Sequence, residues 1–232
     1  FALWGLVAWR RRRGRAWLLL AGSGLALLIL VKSSNGIVVP LFGVYWLWGV
    51  WKQRQSGGPK AIAQELAAFA APVLLAAGVT IAYNYVRFGT TLGFPLEPFE
   101  TFSTPLAVGL AGLLFSPGKG IFWYFPALWL ALVSIPRWRV GGRLPDYLLA
   151  AGAALALIVV YALWYDWPGG RAWGPRMIIT AMPALAMLVL PAIHWLVTGQ
   201  GSRWARLLAG SVLALSLFVQ LPGVLVNFER QE

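Results

Sequence analysis

The chain alternates long apolar runs with short polar gaps, and this alternation predicts its architecture. A helix crosses a bilayer with about 20 apolar residues, or with fewer where flanking Lys or Arg side chains reach the interface. The pattern predicts about seven crossings, at residues 16–31, 37–51, 61–83, 121–136, 147–165, 177–197 and 207–227. Residues 1–9 are apolar but too short to cross, so we interpret them as the end of a partial first helix, and the chain as a fragment.

The remaining features of the pattern refine this picture. Residues 106–115 are apolar but too short to cross, which predicts a helix lying at the outer interface. The short run 37–51 contains Pro40, which predicts either a kink or a partly re-entrant segment. Glu65 is expected in the first turn of the next helix, where the helix dipole favours an anion. We therefore predict an all-α, polytopic transmembrane bundle, with residues 1–232 forming a single domain.

The basic residues favour one side of this bundle. Of the 19 Lys and Arg residues, 13 fall in every second gap between apolar runs: Arg10, Arg11, Arg12, Arg13, Arg15, Lys52, Arg54, Lys60, Arg137, Arg139, Arg143, Arg203 and Arg206. Cytoplasmic loops of membrane proteins carry such an excess. We expect a multi-pass protein of the inner cell membrane with these loops in the cytoplasm.

Composition excludes several classes of function. Apolar residues make up 59% of the chain and charged residues 11%, which is atypical of a soluble domain. The net charge of +12 follows the loops, so it reflects topology rather than nucleic-acid binding. The chain has no cysteine and one histidine, His194, which excludes thiolate and His-rich metal sites. It also contains no phosphate-binding loop of an ATPase or a Rossmann enzyme.

Two predicted external regions combine Gly and Pro turns with aromatic and basic residues. The first contains Tyr-Asn-Tyr-Val-Arg-Phe-Gly at 83–89 and, further on, Leu-Phe-Ser-Pro-Gly-Lys-Gly-Ile-Phe-Trp-Tyr-Phe-Pro at 114–126. The second is Trp-Tyr-Asp-Trp-Pro-Gly-Gly-Arg-Ala-Trp-Gly-Pro-Arg at 164–176. Glycine lets a backbone approach a ligand closely, and the arginine fork matches phosphate oxygens. Such a crevice suits an amphiphile with an anionic head and an apolar tail.

These motifs resemble the C-terminal portion of the C-type (GT-C) membrane glycosyltransferases that use polyprenyl-phosphate sugars. Bacterial multi-pass proteins related to protein O-mannosyltransferases and aminoarabinose transferases are the most similar. In that group a helix ends in a Tyr-Asn-Tyr-x-Arg-Phe-Gly-like stretch. A Leu-Phe-Ser-Pro-Gly-(Arg/Lys)-Gly stretch then leads into a helix with an early proline, here Pro126, and a Gly-Gly-x-x-x-Gly-Pro-Arg loop follows. The resemblance covers roughly residues 60–195.

The resemblance implies a donor substrate and a set of contacts. The donor would be a polyprenyl-phosphate sugar, used on the extracytoplasmic side, with a divalent metal in metal-dependent members. Arg176, Lys119, Arg87 and Arg171 are the candidates for binding the lipid phosphate. Fixed cations stabilise the charge that develops on such a leaving group.

Other candidates flank these cations, and the catalytic residue is unknown. Asp166, Trp167 and Trp173 are candidate acceptor or sugar contacts. For Asp166 a structural ion pair with Arg171 or Arg176 is the alternative, and for the two tryptophans anchoring at the interface competes. The family's catalytic acid lies in a first external loop that precedes the part of the family seen here.

Two other classes of function remain open at this point. A non-catalytic subunit could retain the scaffold as a structural or lipid-binding part of a larger membrane complex, with lipids and other subunits as partners. A secondary transporter is the weaker alternative, because transporters place ionisable residues at mid-membrane and these runs are almost free of them.

Overall fold

The computed structural model describes residues 1–52, 58–91, 101–170, 172–199 and 201–225. Within these ranges all regular elements are helical, so the all-α prediction is confirmed. The chain divides into two compact units, Phe1–Glu97 and Pro98–Glu232. The single domain over residues 1–232 stays a prediction.

The described part of the first unit contains four α-helices: α1 (Ala2–Arg12), α2 (Arg15–Val31), α3 (Val39–Lys52) and α4 (Pro59–Phe88). A 3₁₀ segment, Ser33–Val38, joins α2 to α3. Pro40 is the second residue of α3, a position whose N–H has no partner within the helix. The proline is therefore accommodated in the first turn and does not kink an established helix.

Helix α4 differs from its predicted bounds of 61–83 at both ends. The helix begins two residues earlier, so Glu65 lies in its second turn and not in its first. The Glu65 carboxylate accepts a hydrogen bond from Trp9 Nε1 at 3.4 Å. At the other end the helix continues through the motif at 83–88, beyond the predicted end at residue 83, so the motif forms the end of the helix as the resemblance implies. The helix ends at Gly89, whose φ of 69° suits the left-handed cap that glycine favours.

Glycines allow the helices of the first unit to approach closely. A Cβ at Gly22 of α2 would overlap the Phe69 carbonyl oxygen of α4, and one at Gly24 would lie 2.6 Å from the Ala2 nitrogen of α1. Small residues permit such backbone contact between apolar helices. The position of α2 between α1 and α4 thus depends on residues without side chains.

The second unit contains seven α-helices among its described residues: α5 (Leu106–Phe115), α6 (Ile121–Tyr124), α7 (Trp129–Ser134), α8 (Leu144–Leu163), α9 (Met182–Val197), α10 (Arg203–Phe218) and α11 (Leu221–Leu225). Three 3₁₀ segments, Pro126–Leu128, Ile135–Gly142 and Arg176–Ala181, connect or extend them. The bounds of α5 confirm the short helix predicted at 106–115.

The prediction of one continuous helix at 121–136 is wrong. The segment divides into α6, a 3₁₀ turn and α7, and Phe125 at the break has φ −134° and ψ 67°. Pro126 explains this because proline forces the preceding residue out of the helical region and lacks an N–H. Pro222 similarly follows the interruption between α10 and α11, within the run predicted at 207–227. Residues 226–227 of that run lie outside the described residues.

A buried serine compensates for the proline inside α9. Pro191 has no N–H to donate, and the next amide, of Ala192, bonds to the Ser134 hydroxyl of α7 at 3.0 Å. Ser134 is fully buried, and its Oγ also lies 3.1 Å from the Leu130 carbonyl oxygen. This bond ties α7 to α9 next to the position where Pro191 lacks a donor for the helical ladder.

Among the residues that the structure describes, four helical stretches are long and apolar enough to cross a membrane: Pro59–Phe88, Leu144–Leu163, Arg176–Val197 and Arg203–Leu225. The segments Arg15–Val31 and Leu106–Phe115 are apolar but shorter. The full set of about seven crossings stays a prediction.

Candidate functional site

The Ser-Pro-Gly-Lys-Gly sequence forms a tight turn between α5 and α6. The Lys119 amide lies 3.2 Å from the Ser116 hydroxyl oxygen, and the Gly120 amide donates to the Ser116 carbonyl oxygen at 2.6 Å. A Cβ at Gly120 would lie 2.6 Å from that same carbonyl oxygen. The turn therefore requires glycine at this position and fixes where the Lys119 side chain begins.

Lys119 joins the first external motif to the second. Its Nζ donates to the Gly170 carbonyl oxygen at 2.8 Å and to the Ala172 carbonyl oxygen at 2.5 Å. The two motifs are more than 50 residues apart in the chain. An ammonium has three N–H donors, so one of the three remains for a further acceptor.

The second motif is a loop of consecutive turns held at its start and shaped by glycines. Thr104 Oγ1 donates to the Trp164 carbonyl oxygen at 2.9 Å, which attaches the loop to the segment before α5. Gly169, Gly170 and Gly174 have φ values of 68°, 69° and 68°, a region that other residues rarely adopt. Substitution of any of these glycines would strain the loop.

Two side chains pack directly on this glycine backbone. A Cβ at Gly169 would lie 3.1 Å from both Cγ and Nε of Arg176, so the arginine side chain lies across that residue. A Cβ at Gly174 would lie 2.8 Å from Cδ1 of Tyr124, so the tyrosine ring covers the second turn. The Gly-Gly and Gly-Pro-Arg parts of the motif thus position Arg176 together.

An open cavity of about 260 Å³ lies beside the loop. Its lining is mostly aromatic and apolar: Tyr124, Phe125, Trp173, Gly174, Pro175, Arg176, Ile179, Met182 and Gln220. The rings of Tyr124 and Trp173 meet edge to face with centroids 5.3 Å apart, and Trp173 Nε1 donates to the Val219 carbonyl oxygen at 3.2 Å. Arg176 is exposed and supplies the cation of this lining.

The electrostatics of the site favour an anion. Partial burial, and then the positive charge of Arg176, lower the pKa of Lys119 below its ordinary value, while Asp166 opposes this effect. The guanidinium and the ammonium therefore repel each other, and a bound phosphate would relieve that repulsion.

The other predicted site residues are placed differently. Arg87 belongs to the first unit, where it donates to the Tyr83 hydroxyl and lies over the Phe88 ring at 5.3 Å. Arg171 lies outside the described residues. Trp167 covers the backbone of Gly112 in α5, where a Cβ would overlap its ring. Trp167 therefore serves helix packing on that face, whereas Trp173 lines the cavity.

Asp166 contributes to the turn and to the local charge. Its carbonyl oxygen accepts the Gly169 amide at 3.0 Å, and its carboxylate attracts the Lys119 ammonium. The sequence suggested an ion pair with Arg171 or Arg176. Among the described residues Asp166 forms no ion pair with Arg176, and Arg171 lies outside those residues. Its electrostatic partner in the described site is Lys119.

Two polar lining residues, Tyr124 and Gln220, were not among the ligand contacts predicted from the sequence. Tyr124 precedes the helix break at Phe125 and Pro126, and Gln220 donates from its side-chain amide to the Tyr124 carbonyl oxygen. Gln220 is a polar residue inside an apolar run, which is a signal of a functional or a buried polar contact in membrane helices. Within the described residues no three His, Cys, Asp or Glu side chains converge in a way that could hold a metal.

Comparison of the chain with models of protein families, with curated proteins and with solved structures finds no match.

Proposed function

We propose that this chain belongs to a glycosyltransferase-like integral membrane protein that binds a polyprenyl-phosphate sugar. The phosphate would be held by Arg176 and by the free N–H of Lys119, and the first part of the prenyl chain would contact Tyr124 and Trp173. The proposed reaction is transfer of the sugar from this carrier to an acceptor on the extracytoplasmic side. The resemblance in three motifs supports the family, and the site geometry supports the ligand class.

The observation that carries the proposal is the convergence of the two motifs. Lys119 bonds to two carbonyl oxygens of the Gly-rich loop, and that loop positions Arg176 at an aromatic cavity. An arginine beside apolar and aromatic surface matches a ligand with a phosphate head and a hydrocarbon tail. Arg171 remains a further candidate for the phosphate, whereas Arg87 requires a separate test because it belongs to the other unit.

A non-catalytic lipid-binding subunit is the second candidate. The same cavity supports it, since Arg176 and the aromatic lining can bind a lipid phosphate without a catalytic carboxylate. Both candidates predict binding, and only the first predicts turnover. A divalent metal is expected only if the enzyme is of the metal-dependent kind.

Binding and transfer should be measured on the same preparation. We expect the protein in detergent to bind a prenyl phosphate in preference to the corresponding prenyl alcohol, and Arg176→Gln to weaken this binding at least tenfold. Arg206→Gln, which removes an exposed cation of α10, is the matched control and should bind as the parent does. Equal binding of phosphate and alcohol would refute the ligand class. Binding without transfer to any acceptor would favour the subunit.

The proposed topology places about seven crossings in the inner membrane with the Lys119 turn outside and the arginine turn of residues 10–15 in the cytoplasm. Because the chain lacks cysteine, single substitutions report accessibility without background. Gly118→Cys, at a site with open space around it, should react with an impermeant thiol reagent from outside in cells, and Arg11→Cys only after permeabilisation. The reverse pattern would overturn the orientation.

A further inference from the structure

One end of the first unit collects basic side chains from two separate parts of the chain. The turn between α1 and α2 contributes Arg10, Arg11, Arg12, Arg13 and Arg15. Helix α3 ends at Lys52, and Lys60 is the second residue of α4. These seven residues are called the basic end below.

Contacts among the helices hold the two parts together. Arg15 Nη1 donates to Gln64 Oε1 at 2.9 Å, and Trp9 Nε1 donates to Glu65 Oε1 at 3.4 Å, which joins the arginine turn to the start of α4. The Trp9 ring also covers Gly49 of α3, where a Cβ would lie 2.7 Å from Cζ3. The gathering of charge is therefore a consequence of helix packing and not only of sequence.

Charge at the basic end is far from balanced. Glu65 is the only acidic residue in the first 96 residues of the chain. It already accepts the hydrogen bond from the Trp9 indole. Cations held this close repel one another, so an anion that binds among them is stabilised electrostatically.

Arg13 supplies a specific donor for such an anion. Its backbone has φ 57°, an unusual value for a residue other than glycine, and its guanidinium lies over the Trp9 ring at 4.8 Å. Its Nη2 atom is shielded from solvent and has no hydrogen-bond partner among the described residues. A shielded guanidinium N–H without an acceptor is costly, so a turn of the partly exposed Arg13 side chain that brings Nη2 to a phosphate oxygen is favoured.

The surface next to these arginines is apolar. Arg12 lies over the Trp17 ring at 5.7 Å, and nearby on α2 and α3 the side chains of Leu19 and Leu47 are 51% and 57% exposed. Trp51, one residue before the end of α3, is 60% exposed. A nucleic acid would satisfy the cations and leave this surface in water, whereas a phospholipid would cover both.

We propose that the basic end binds the phosphate of an anionic phospholipid, with Arg12 and Arg13 as the principal contacts and the exposed α2 and α3 side chains against the acyl chains. This lipid would differ from the prenyl-phosphate ligand proposed for the second unit. The assignment goes beyond the proposed sugar transfer and does not depend on it.

The test measures lipid binding to the full chain in detergent, with phosphatidylglycerol and phosphatidylcholine as the probes. We expect phosphatidylglycerol to bind more tightly and its binding to weaken as salt is raised. The double variant Arg12→Gln with Arg13→Gly should bind it about 30-fold less tightly, at about fivefold for each arginine near an anionic surface. Glycine adopts a φ of 57° without strain, so this variant should fold as well as the parent.

Two further variants distinguish a lipid site from a general effect of charge. Arg203→Gln with Arg206→Gln removes two exposed cations at the start of α10 in the second unit and should leave the affinity unchanged. Arg12→Lys with Arg13→Lys keeps the charge and should retain affinity within about threefold, the residual loss reflecting the lost arginine geometry. Equal binding of the two lipids, an equal loss in the α10 variant, or displacement of phosphatidylglycerol by a short RNA at the same salt concentration would each overturn the proposal.

Discussion

Replacing Lys119 by methionine removes the ammonium that holds two carbonyl oxygens of the Gly-rich loop while keeping a flexible stem. The lost bonds are those to Gly170, at 2.8 Å, and to Ala172, at 2.5 Å. A hydrogen bond to a charged group contributes about 1.5–3 kcal/mol, and the low end applies because the side chain is only partly buried. The two bonds together then stabilise the closed loop by about 3 kcal/mol, equivalent to about a 100-fold change in the opening equilibrium.

Amide hydrogen exchange in detergent measures this opening directly. We expect Lys119→Met to accelerate exchange in peptides covering residues 164–176 by up to about 100-fold, with little change in α8. Lys60→Met removes an exposed lysine of the first unit and serves as the control. If exchange in the loop were the same in Lys119→Met and in the parent, Lys119 would not hold the two motifs together.

Three further predictions concern the second unit. Burial and a neighbouring arginine lower the pKa of Lys119, so its ammonium deprotonates at a lower pH than an ordinary lysine does. Affinity for a prenyl phosphate should therefore fall as the pH rises, and it should fall at a lower pH than in Lys119→Arg, whose guanidinium stays charged. Coincident pH profiles of the parent and Lys119→Arg would refute the contact. Gly109→Ala would force a methyl group into the α8 backbone and should lower the free energy of unfolding by about 1–3 kcal/mol or more. Gly210→Ala, with open space around it, should be neutral or stabilising. Equal effects of the two substitutions would contradict the close approach of α5 and α8. Ser134→Ala should destabilise the protein by about 1–2 kcal/mol, because it removes an acceptor of the buried Ala192 amide. Ser211→Ala, whose hydroxyl bonds within its own exposed helix turn, should change stability little. A neutral Ser134→Ala would contradict the role of Ser134 in joining α7 and α9.

Helix positions could be predicted from the sequence where an apolar run has clear polar or glycine boundaries. The run 106–115 is bounded by Pro105 and by the Ser-Pro-Gly turn, and α5 has the predicted ends. The run 16–31 agrees with α2 to within one residue for the same reason, with Gly14 before it and Lys32 after it. In such cases the boundary residues and the hydrophobic run predict the same helix ends.

Hydropathy was misleading where proline or helix propensity acts inside or beyond a run. It treats 121–136 as continuous, because Pro126 counts little against the surrounding aromatic residues, yet the pyrrolidine ring breaks the helix there. It also ends α4 too early, since Asn84 and Arg87 are polar but compatible with a helix that ends at Gly89.

The candidate site could be predicted only in part. The motifs identified Arg176, Lys119 and Trp173; Lys119 does bond to the loop, and Arg176 and Trp173 line the cavity beside it. The bonds from Lys119 to backbone carbonyl oxygens could not be predicted, because any residue type offers the same acceptor. Gln220 was missed because its proximity to Tyr124 arises from packing between segments 96 residues apart.

Cross-linking by a photoreactive prenyl phosphate tests the central claim most directly. With the reactive group next to the phosphate, we predict labelled peptides that contain Tyr124 or residues 173–182. Labelling should be lost in Arg176→Gln, suppressed by unlabelled prenyl phosphate and unaffected by prenyl alcohol. Labelling that is spread over the helices of both units, or that persists unchanged in Arg176→Gln, would contradict a phosphate site at this loop.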